Sequence, residues 1–469
     1  MAEPSDQTVL LHVAYPLRRK IVQLAFARAK QLKDQGTGVL LSYCNAPRGT
    51  CAVNFAGNPA VCRVCQSRIR KMAKQHDLPI VGVYRPENAS QTDASPIAME
   101  SSSRESIAEG VQSAITTMFR VLPSDAPTHS LIESIRKRYQ YTSERVLQGL
   151  MNVIKTTPVS RVEVFNGRHA CSRVAVLAAK TAQLPFNTLE LSSRLRPILF
   201  RNHVAHDRHA IQNRMRSHPA DMQHAEQFFT ARQSPRVNRY AKRHAPRFTP
   251  PSHDGFERKV SIFLSSQDEF EALGQDWESP FRDTAKVILA FCERYPDTLF
   301  CIRFHPNQAE ISSDIRSPFA SLKDLPNARV FYPEDTVNSY ELIQWSDVVV
   351  TFGSTVTIEA CWMGKPVVLL GPSFFDELEV AYTPQTAQEA LEIFASPLSP
   401  KPRENAARAA HYMAFAGDDL AYVESESGFS TPKIPLARPI AGAIARVLED
   451  CWCHWIKKRI NPASKQPAA

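Results

Sequence analysis

Apolar residues along the 469-residue chain fall into short unbroken runs separated by longer stretches of helical spacing. Thr8 to Tyr15 (TVLLHVAY) predicts a buried strand, Arg18 to Lys33 an amphipathic helix, and Gly36 to Tyr43 a second strand. Leu78 to Tyr84 predicts another short strand, whereas the Ser-, Asn- and Ala-rich stretch from Glu87 to Arg104 reads as a loop. Helical patterns follow from Ile107 to Val121 and from Ser130 to Ile154. Strands are expected at Val162 to Phe165 and Phe186 to Leu191, flanking a helix through Val174 to Ala182.

The second half is more regular. Strands are expected at Val260 to Leu264, Leu299 to Phe304, Arg329 to Tyr332, Asp347 to Phe352 and Val367 to Leu370. Helical patterns lie between them, notably Pro280 to Tyr295, Ser339 to Trp345 and Thr355 to Met363. Strand–helix alternation argues for parallel sheets covered on both faces, with ligands bound outside the C-terminal ends of the strands. Pro246, Pro250 and Pro251 punctuate a boundary. The expected domains are therefore 1–250, 251–435 and a terminal amphipathic helix and tail over 436–469.

Composition narrows the class. The hydrophobic share of 43% and charged share of 22% describe a globular protein. The first residues are acidic and polar, the wrong order for a secretory signal, and charges or Gly-Pro pairs interrupt every apolar stretch before the ~18 residues a bilayer span needs. A cytoplasmic location is expected, with the ten cysteines reduced or metal-bound. The net charge of +9 is concentrated: Ser193 to Arg258 holds 13 Lys/Arg against 5 Asp/Glu, and seven of the fourteen histidines. That window is either a surface for anionic partners or a solvated connector. It carries no recognised nucleic-acid motif and no aromatic interleaving, so nucleic acid is not the expected partner.

Two motifs carry chemistry. Val348 to Thr351 runs through Phe352 into Gly353-Ser354-Thr355 and a helix bearing Glu359, followed by Gly364-Lys365-Pro366. A glycine there lets a ligand approach the backbone, Ser354 and Thr355 offer donors to phosphate oxygens, and Glu359 is placed to accept ribose hydroxyls. Arg303-Phe304-His305-Pro306 ends another strand; Arg303 and His305 are two apart and share a face if the strand persists. A cation and an imidazole there suit a diphosphate or a departing nucleotide.

These motifs, with Ser339-Tyr340, resemble the C-terminal half of bacterial surface and capsular polysaccharide glycosyltransferases of the two-Rossmann (GT-B) kind. Phe263 to Phe270 (FLSSQDEF) resembles the first strand and loop of that half, placing Ser265 and Ser266 near the donor. The resemblance is good from Val260 to Pro372 and thins to scattered matches before it, chiefly Phe165-Asn166-Gly167-Arg168 and the early cysteines. It implies an α/β fold of two Rossmann-like domains facing across a cleft. It also implies a nucleotide-sugar donor held by His305, Ser354, Thr355 and Glu359, and a surface polysaccharide or glycolipid acceptor. The histidine–proline pair is similar to that of enzymes using CMP-activated acidic sugars, and the Gly-to-Glu spacing to that of UDP-sugar enzymes. The chain has no Asp-x-Asp, so metal-independent transfer is expected, with positive groups neutralising the leaving phosphate.

The first half is expected to hold the acceptor and an inverting general base. Asn166 and Arg168 end a strand and open a helix; Glu190 ends the next strand and is the first choice of base, with Asp207 and His203 as rivals. Cys44, Cys51, Cys62 and Cys65 are expected in one loop-rich stretch, as either a structural zinc site or free or redox-active thiols. Ile440 to Ile460 predicts an amphipathic helix ending in Trp455-Ile456-Lys457-Lys458-Arg459, suited either to a membrane interface or to packing back across the cleft. Two other readings stay open: a sugar-nucleotide epimerase of the same fold, and a non-catalytic polysaccharide assembly or export protein.

Overall fold

The computed structural model describes residues 8–85, 100–122, 129–192, 196–234, 248–310, 316–420, 424–425, 428–429 and 435–460. The chain divides into two units, Met1–Asp207 with Gly417–Ala469, and Arg208–Ala416. The dividing points thus fall at 207/208 and 416/417 rather than at 250 and 435. Two features move them: a pair of helices within the basic window belongs to the second unit, and the tail returns to the first.

The first unit begins β1 (Thr8–His12), α1 (Arg19–Asp34), β2 (Gly38–Tyr43), α2 (Pro59–Gln75) and β3 (Ile80–Gly82). It continues α3 (Ser101–Phe119), α4 (Ser130–Thr156), β4 (Val159–Phe165), α5 (Ala170–Thr181), β5 (Phe186–Leu191) and β6 (Pro197–Arg201). The second unit opens with α6 (Arg208–Ser217) and α7 (Met222–Arg232). Then come β7 (Arg258–Phe263), α8 (Gln267–Glu271), α9 (Thr284–Arg294), β8 (Thr298–Arg303) and β9 (Ala328–Phe331). It closes with α10 (Ser339–Trp345), β10 (Val348–Thr351), α11 (Val356–Trp362), β11 (Val367–Leu369), α12 (Ala387–Glu392) and α13 (Arg403–Phe415). The chain then returns to the first unit with β12 (Asp418–Asp419) and α14 (Pro439–Ile460).

Both units are Rossmann-like. The first sheet runs β12-β6-β5-β4-β1-β2-β3, parallel from β5 to β3, with β6 antiparallel to β5 and β12 antiparallel to β6. The second runs β11-β10-β7-β8-β9 and is parallel throughout. Strands covered on both faces are largely apolar at their centres, and these are: Val9, Leu10, Leu11, Val260, Ile262, Val349 and Val350 have no exposure. In each sheet the strand order reverses between the first strand and the fourth, at β1/β4 and β7/β10. A reversal of this kind leaves a crevice at the C-terminal strand ends.

Helices α2, α6, α7, α12 and α13 were not legible as such, and α3 begins at Ser101, inside the Glu87 to Arg104 stretch read as a loop, of which 87–99 lie outside the described residues. The start of α2 shows why. Asn58 accepts the Ala60 N–H at 2.9 Å and Pro59 holds the first position of α2, so Cys62 and Cys65 lie on its opening turns rather than in a loop. Deep in the first sheet, Glu163 receives Arg28 in two bonds, Nε at 2.8 Å and Nη2 at 2.9 Å, with Arg161 and Asn187 beside it. Burial works to raise its carboxyl, but the two guanidiniums outweigh burial and hold it below the ordinary value. That pair ties α1 to β4 and has no open side for a ligand.

Candidate functional site

In the second unit three loops leave the C-terminal ends of neighbouring strands β8, β7 and β10. After β7, Ser266 is buried and donates to Asp268 Oδ1 at 2.5 Å, so its hydroxyl serves the loop; Ser265 beside it is half-buried. After β8, His305 Nδ1 accepts the Asn307 backbone N–H at 3.2 Å, which leaves the ring proton of the neutral imidazole on Nε2. Asn307 Nδ2 donates to Glu269 Oε1 at 2.6 Å, tying this loop to the one after β7.

Arg303 is placed differently from expectation. It is buried on β8, and its Nη1 donates to the Tyr332 carbonyl at 2.7 Å. The strand ends at Arg303, so the shared face with His305 is not continued. The guanidinium braces the chain after β9 instead.

After β10, Gly353 adopts φ +79° in a slot where an added Cβ would meet Phe270 Cζ at 2.6 Å and the Pro372 carbonyl at 2.8 Å. Ser354 Oγ accepts the Val356 N–H at 3.3 Å, closing the turn into α11. Thr355 makes no side-chain cap; its hydroxyl accepts Arg232 Nη2 at 3.3 Å.

Glu359 is only 5% exposed, and its Oε1 accepts Arg232 Nε at 2.6 Å. Burial opposes the charge of Arg232, but Glu359 more than offsets it and the guanidinium is held firmly protonated. Arg232 stands at the last position of α7, a helix fixed by Phe229 stacked on Trp362 of α11 with ring centroids 5.1 Å apart. Sequence reading did not single out Arg232. It sits 127 positions before Glu359, and only packing of α7 on α11 joins them.

The reversal in the first unit gathers a second set. Asn166 and Gly167 both take positive φ, and Asn166 Nδ2 donates to Glu190 Oε2 at 2.6 Å. Arg168 lies next to them and its Nη2 donates to Thr117 Oγ1 at 3.2 Å. Asn166, Arg168 and Glu190, expected on the acceptor side, thus stand together at the ends of β4 and β5. Burial raises the Glu190 carboxyl; Asn166, the Leu191 N–H and Arg168 offset part of that rise.

His169, Tyr15 and Ser172 extend the set. The Arg168 guanidinium lies 3.2 Å from His169 Nε2 and can only donate, so the histidine proton is on Nδ1, facing Tyr15 Oη at 3.3 Å. Tyr15 then donates to Ser172 Oγ at 3.2 Å, and Ser172 to the His169 carbonyl at 3.0 Å. Burial, then the neighbouring Arg168 and His206, keep His169 neutral, its pKa lowered to about 3. Of the two rival bases, His203 turns its Nδ1 to the Val204 carbonyl at 3.0 Å. The backbone N–H of Asp207 also bonds to Val204, at 3.0 Å.

For the four early cysteines, expected as either a structural zinc site or free or redox-active thiols, the described geometry favours thiols. Among the described residues no group of three or more His, Cys, Asp or Glu side chains is placed to hold a metal ion. Cys62 Sγ instead accepts the Gly49 N–H at 3.3 Å and Asn54 Nδ2 at 3.2 Å, clasping the preceding loop. Burial pushes the Cys44 thiol up to about 12 and raises Cys51 and Cys65 as well, which suits neutral structural thiols.

The described part of the basic window is largely committed within the folded units. Arg208 pairs with Asp376 at 2.5 Å, Arg216 with Glu377, Arg232 with Glu359, and Arg201 with Asp418 at 2.7 Å. Residues 193–195 and 235–247 of that window, Pro246 among them, lie outside the described residues.

Residues 222–414 match the family model described as capsule polysaccharide biosynthesis protein. No curated protein matches the chain. Among solved structures, the chain is similar to a beta Kdo 2,4 transferase, KpsC of Thermosulfurimonas dismutans. Identity is 16% and the TM-score 0.36, over 54% of this chain and 79% of that one. The UDP-GlcNAc 2-epimerase of Neisseria meningitidis bound to UDP-GlcNAc gives 12% and 0.30, over 87% and 99%. MurG of Acinetobacter baumannii gives 12% and 0.27, over 88% and 96%. These are remote likenesses, which fix neither substrate nor chemistry.

Proposed function

We propose that this chain, whose residues 222–414 match the capsule polysaccharide biosynthesis family model, is a glycosyltransferase. It moves a sugar from a nucleotide-sugar donor to a polysaccharide or glycolipid acceptor. One observation carries the reading. The loops bearing Ser265, His305 and Gly353-Ser354-Thr355 converge on the β7/β10 reversal, where a half-buried cation, Arg232, is held against the glycine loop.

In this reading the glycine loop lies under the donor phosphates, and Ser354, Thr355 and the Nε2–H of His305 donate to their oxygens. Arg232 supplies positive charge as the nucleotide leaves, so no metal is invoked. Glu359 holds Arg232 and offers its second oxygen to the ribose. The first unit recognises the acceptor through Asn166 and Arg168, and Glu190 removes the acceptor proton in an inverting displacement.

A thermal-shift series with UDP, GDP, CMP and their sugar conjugates tests the donor site. One nucleotide should raise the melting temperature of the wild type, and His305→Ala and Ser354→Ala should each weaken that response. A chain indifferent to all of them has no such site. Mass analysis of a donor-only incubation separates the epimerase reading, since an epimerase alters the sugar nucleotide with no acceptor present. A non-catalytic assembly protein would bind a nucleotide or glycan and turn over neither.

The Glu190 assignment has a pH signature. A base must be ionised to act, and burial raises this carboxyl above its ordinary value. The rate should therefore climb with pH along an acid limb displaced upward from the usual carboxylate range. Glu190→Gln should lower kcat by about a hundred-fold or more and remove that limb. An unchanged profile in the variant would move the base elsewhere, with Asp207 and His203 next to be tested.

A further inference from the structure

Helix α14 has two faces, and the structure accounts for only one. Gly442, Ala445, Glu449, Cys453, Ile456 and Ile460 are buried, and the helix packs on α2 and α3 of the first unit. The hold is specific. Glu449 accepts the Phe55 and Ala56 backbone N–H groups, and buried Arg68 donates to the Ala437 and Arg438 carbonyls at 3.2 and 3.1 Å, just before the first turn. Gly442 gives Arg68 its room, since a Cβ there would lie 1.5 Å from Nη2. The helix is therefore fixed in rotation and cannot turn its other side inward.

That other side is apolar. Ile440 is 75% exposed, Ile444 56%, Val447 54%, Leu448 56% and Trp455 50%, and Cys451 is exposed between them. At 100° per residue these six positions fall within an arc of about 100°, and the buried six fall opposite. They form one stripe roughly 22 Å long. Among the described residues only Tyr141, Met222 and Phe415 are other large apolar side chains with comparable exposure, and they lie on three other helices.

The surroundings of the stripe are cationic. Lys457, Lys458 and Arg459 close the helix, with Arg459 over the Trp455 ring at 5.3 Å, and Arg438 and Arg446 are exposed earlier. Helix α2, against which α14 packs, exposes Arg63, Arg70, Lys71 and Lys74 and contains no acidic residue. On the exposed surface of α14 the one acidic residue is Asp450, which pairs with Arg446 at 3.9 Å, and α3 exposes Glu105 beside Arg104. An apolar stripe ending in Trp and flanked by a clear excess of cations is complementary to an anionic lipid surface. A second copy of the chain would set the same cations against each other. Among the described residues no helix is long and apolar enough to cross a membrane, so the contact is interfacial.

We infer that α14 docks the protein on an anionic bilayer surface, lying in the interface with Ile440, Ile444, Val447, Leu448 and Trp455 inserted. The inference draws nothing from the donor site. Its test is co-sedimentation of the full chain with phosphatidylcholine vesicles and with vesicles about one-third phosphatidylglycerol. Wild type should sediment with the anionic vesicles and be released by salt. Ile444→Asp/Leu448→Asp should stay in the supernatant with an unchanged melting temperature, because both positions face water. Lys457→Glu/Lys458→Glu should lose roughly five-fold per charge removed. Equal sedimentation of wild type and the double aspartate variant would overturn the proposal. So would an absence of vesicle binding, whether the stripe then proved idle or light scattering showed a dimer that the same substitutions dissociate.

Discussion

Arg232→Ala is expected to abolish the nucleotide response and to destabilise the second unit by about 3–5 kcal/mol, the cost of leaving a buried charge without its partner. Glu359 is 5% exposed, and Arg232 Nε meets it at 2.6 Å. Removing the guanidinium leaves that carboxylate in a poor environment and takes the cation from the glycine loop. Arg232→Lys keeps a charge but cannot reach Glu359 and Thr355 together, so an intermediate loss is expected.

Glu359→Gln separates the two duties proposed for the carboxylate. If it only holds Arg232, the effects of Arg232→Ala and Glu359→Gln on nucleotide affinity should be strongly non-additive, and a 2′-deoxynucleotide should bind either enzyme as the ribonucleotide does. If it also receives the ribose, discrimination against the deoxynucleotide should vanish in Glu359→Gln. Arg232→Ala with undiminished nucleotide binding would remove Arg232 from the site while leaving the donor reading intact.

Gly353→Ala should be nearly as damaging, for a different reason. An alanine at φ +79° costs about 1–2 kcal/mol on conformation alone, and the new methyl would lie 2.6 Å from Phe270 and 2.8 Å from the Pro372 carbonyl. Relieving that overlap adds about 1–3 kcal/mol and pushes the loop out of place. Gly364→Ala is the control: φ is +73° with nothing within 4 Å, so only the conformational cost applies. Calorimetric unfolding with and without the best nucleotide compares them. Gly364→Ala should bind normally at a slightly lower melting temperature, whereas Gly353→Ala should lose both stability and binding. Equal melting temperatures for the two variants would show that the slot at Gly353 yields without cost.

The three loops after β7, β8 and β10 were legible because each follows a short apolar run and carries its own turn chemistry. Gly353, Ser354 and the His305-Pro306 break are local signals of that kind. Arg303 shows the limit, because a cation at a strand end looks wholly available, and only the lie of the chain after β9 shows that one of its N–H groups goes to the Tyr332 carbonyl. Cys62 and Cys65 were read in a loop because their spacing matches a metal knuckle, but it is equally one turn of a helix; Asn58-Pro59 was the overlooked start signal. The return of the tail to the first unit left no local trace, since β12 is two residues long and gains its place by pairing with β6.

Periodicity therefore determined most of the strands and helices, though not β6 or β12, and the two-sheet α/β plan, because burial on both faces forces continuous apolar runs and exposure on one face forces amphipathic ones. It also located the glycine turn, whose positive φ is a property of a single residue. Tertiary packing alone decided which distant groups meet. The stacking of Phe229 on Trp362 brings Arg232 to Glu359, the turn at Asn166 brings its amide to Glu190, and the room beside Arg68 at Gly442 fixes which face of α14 looks outward. Such contacts depend on the angles and spacings between packed elements, and local sequence does not encode them.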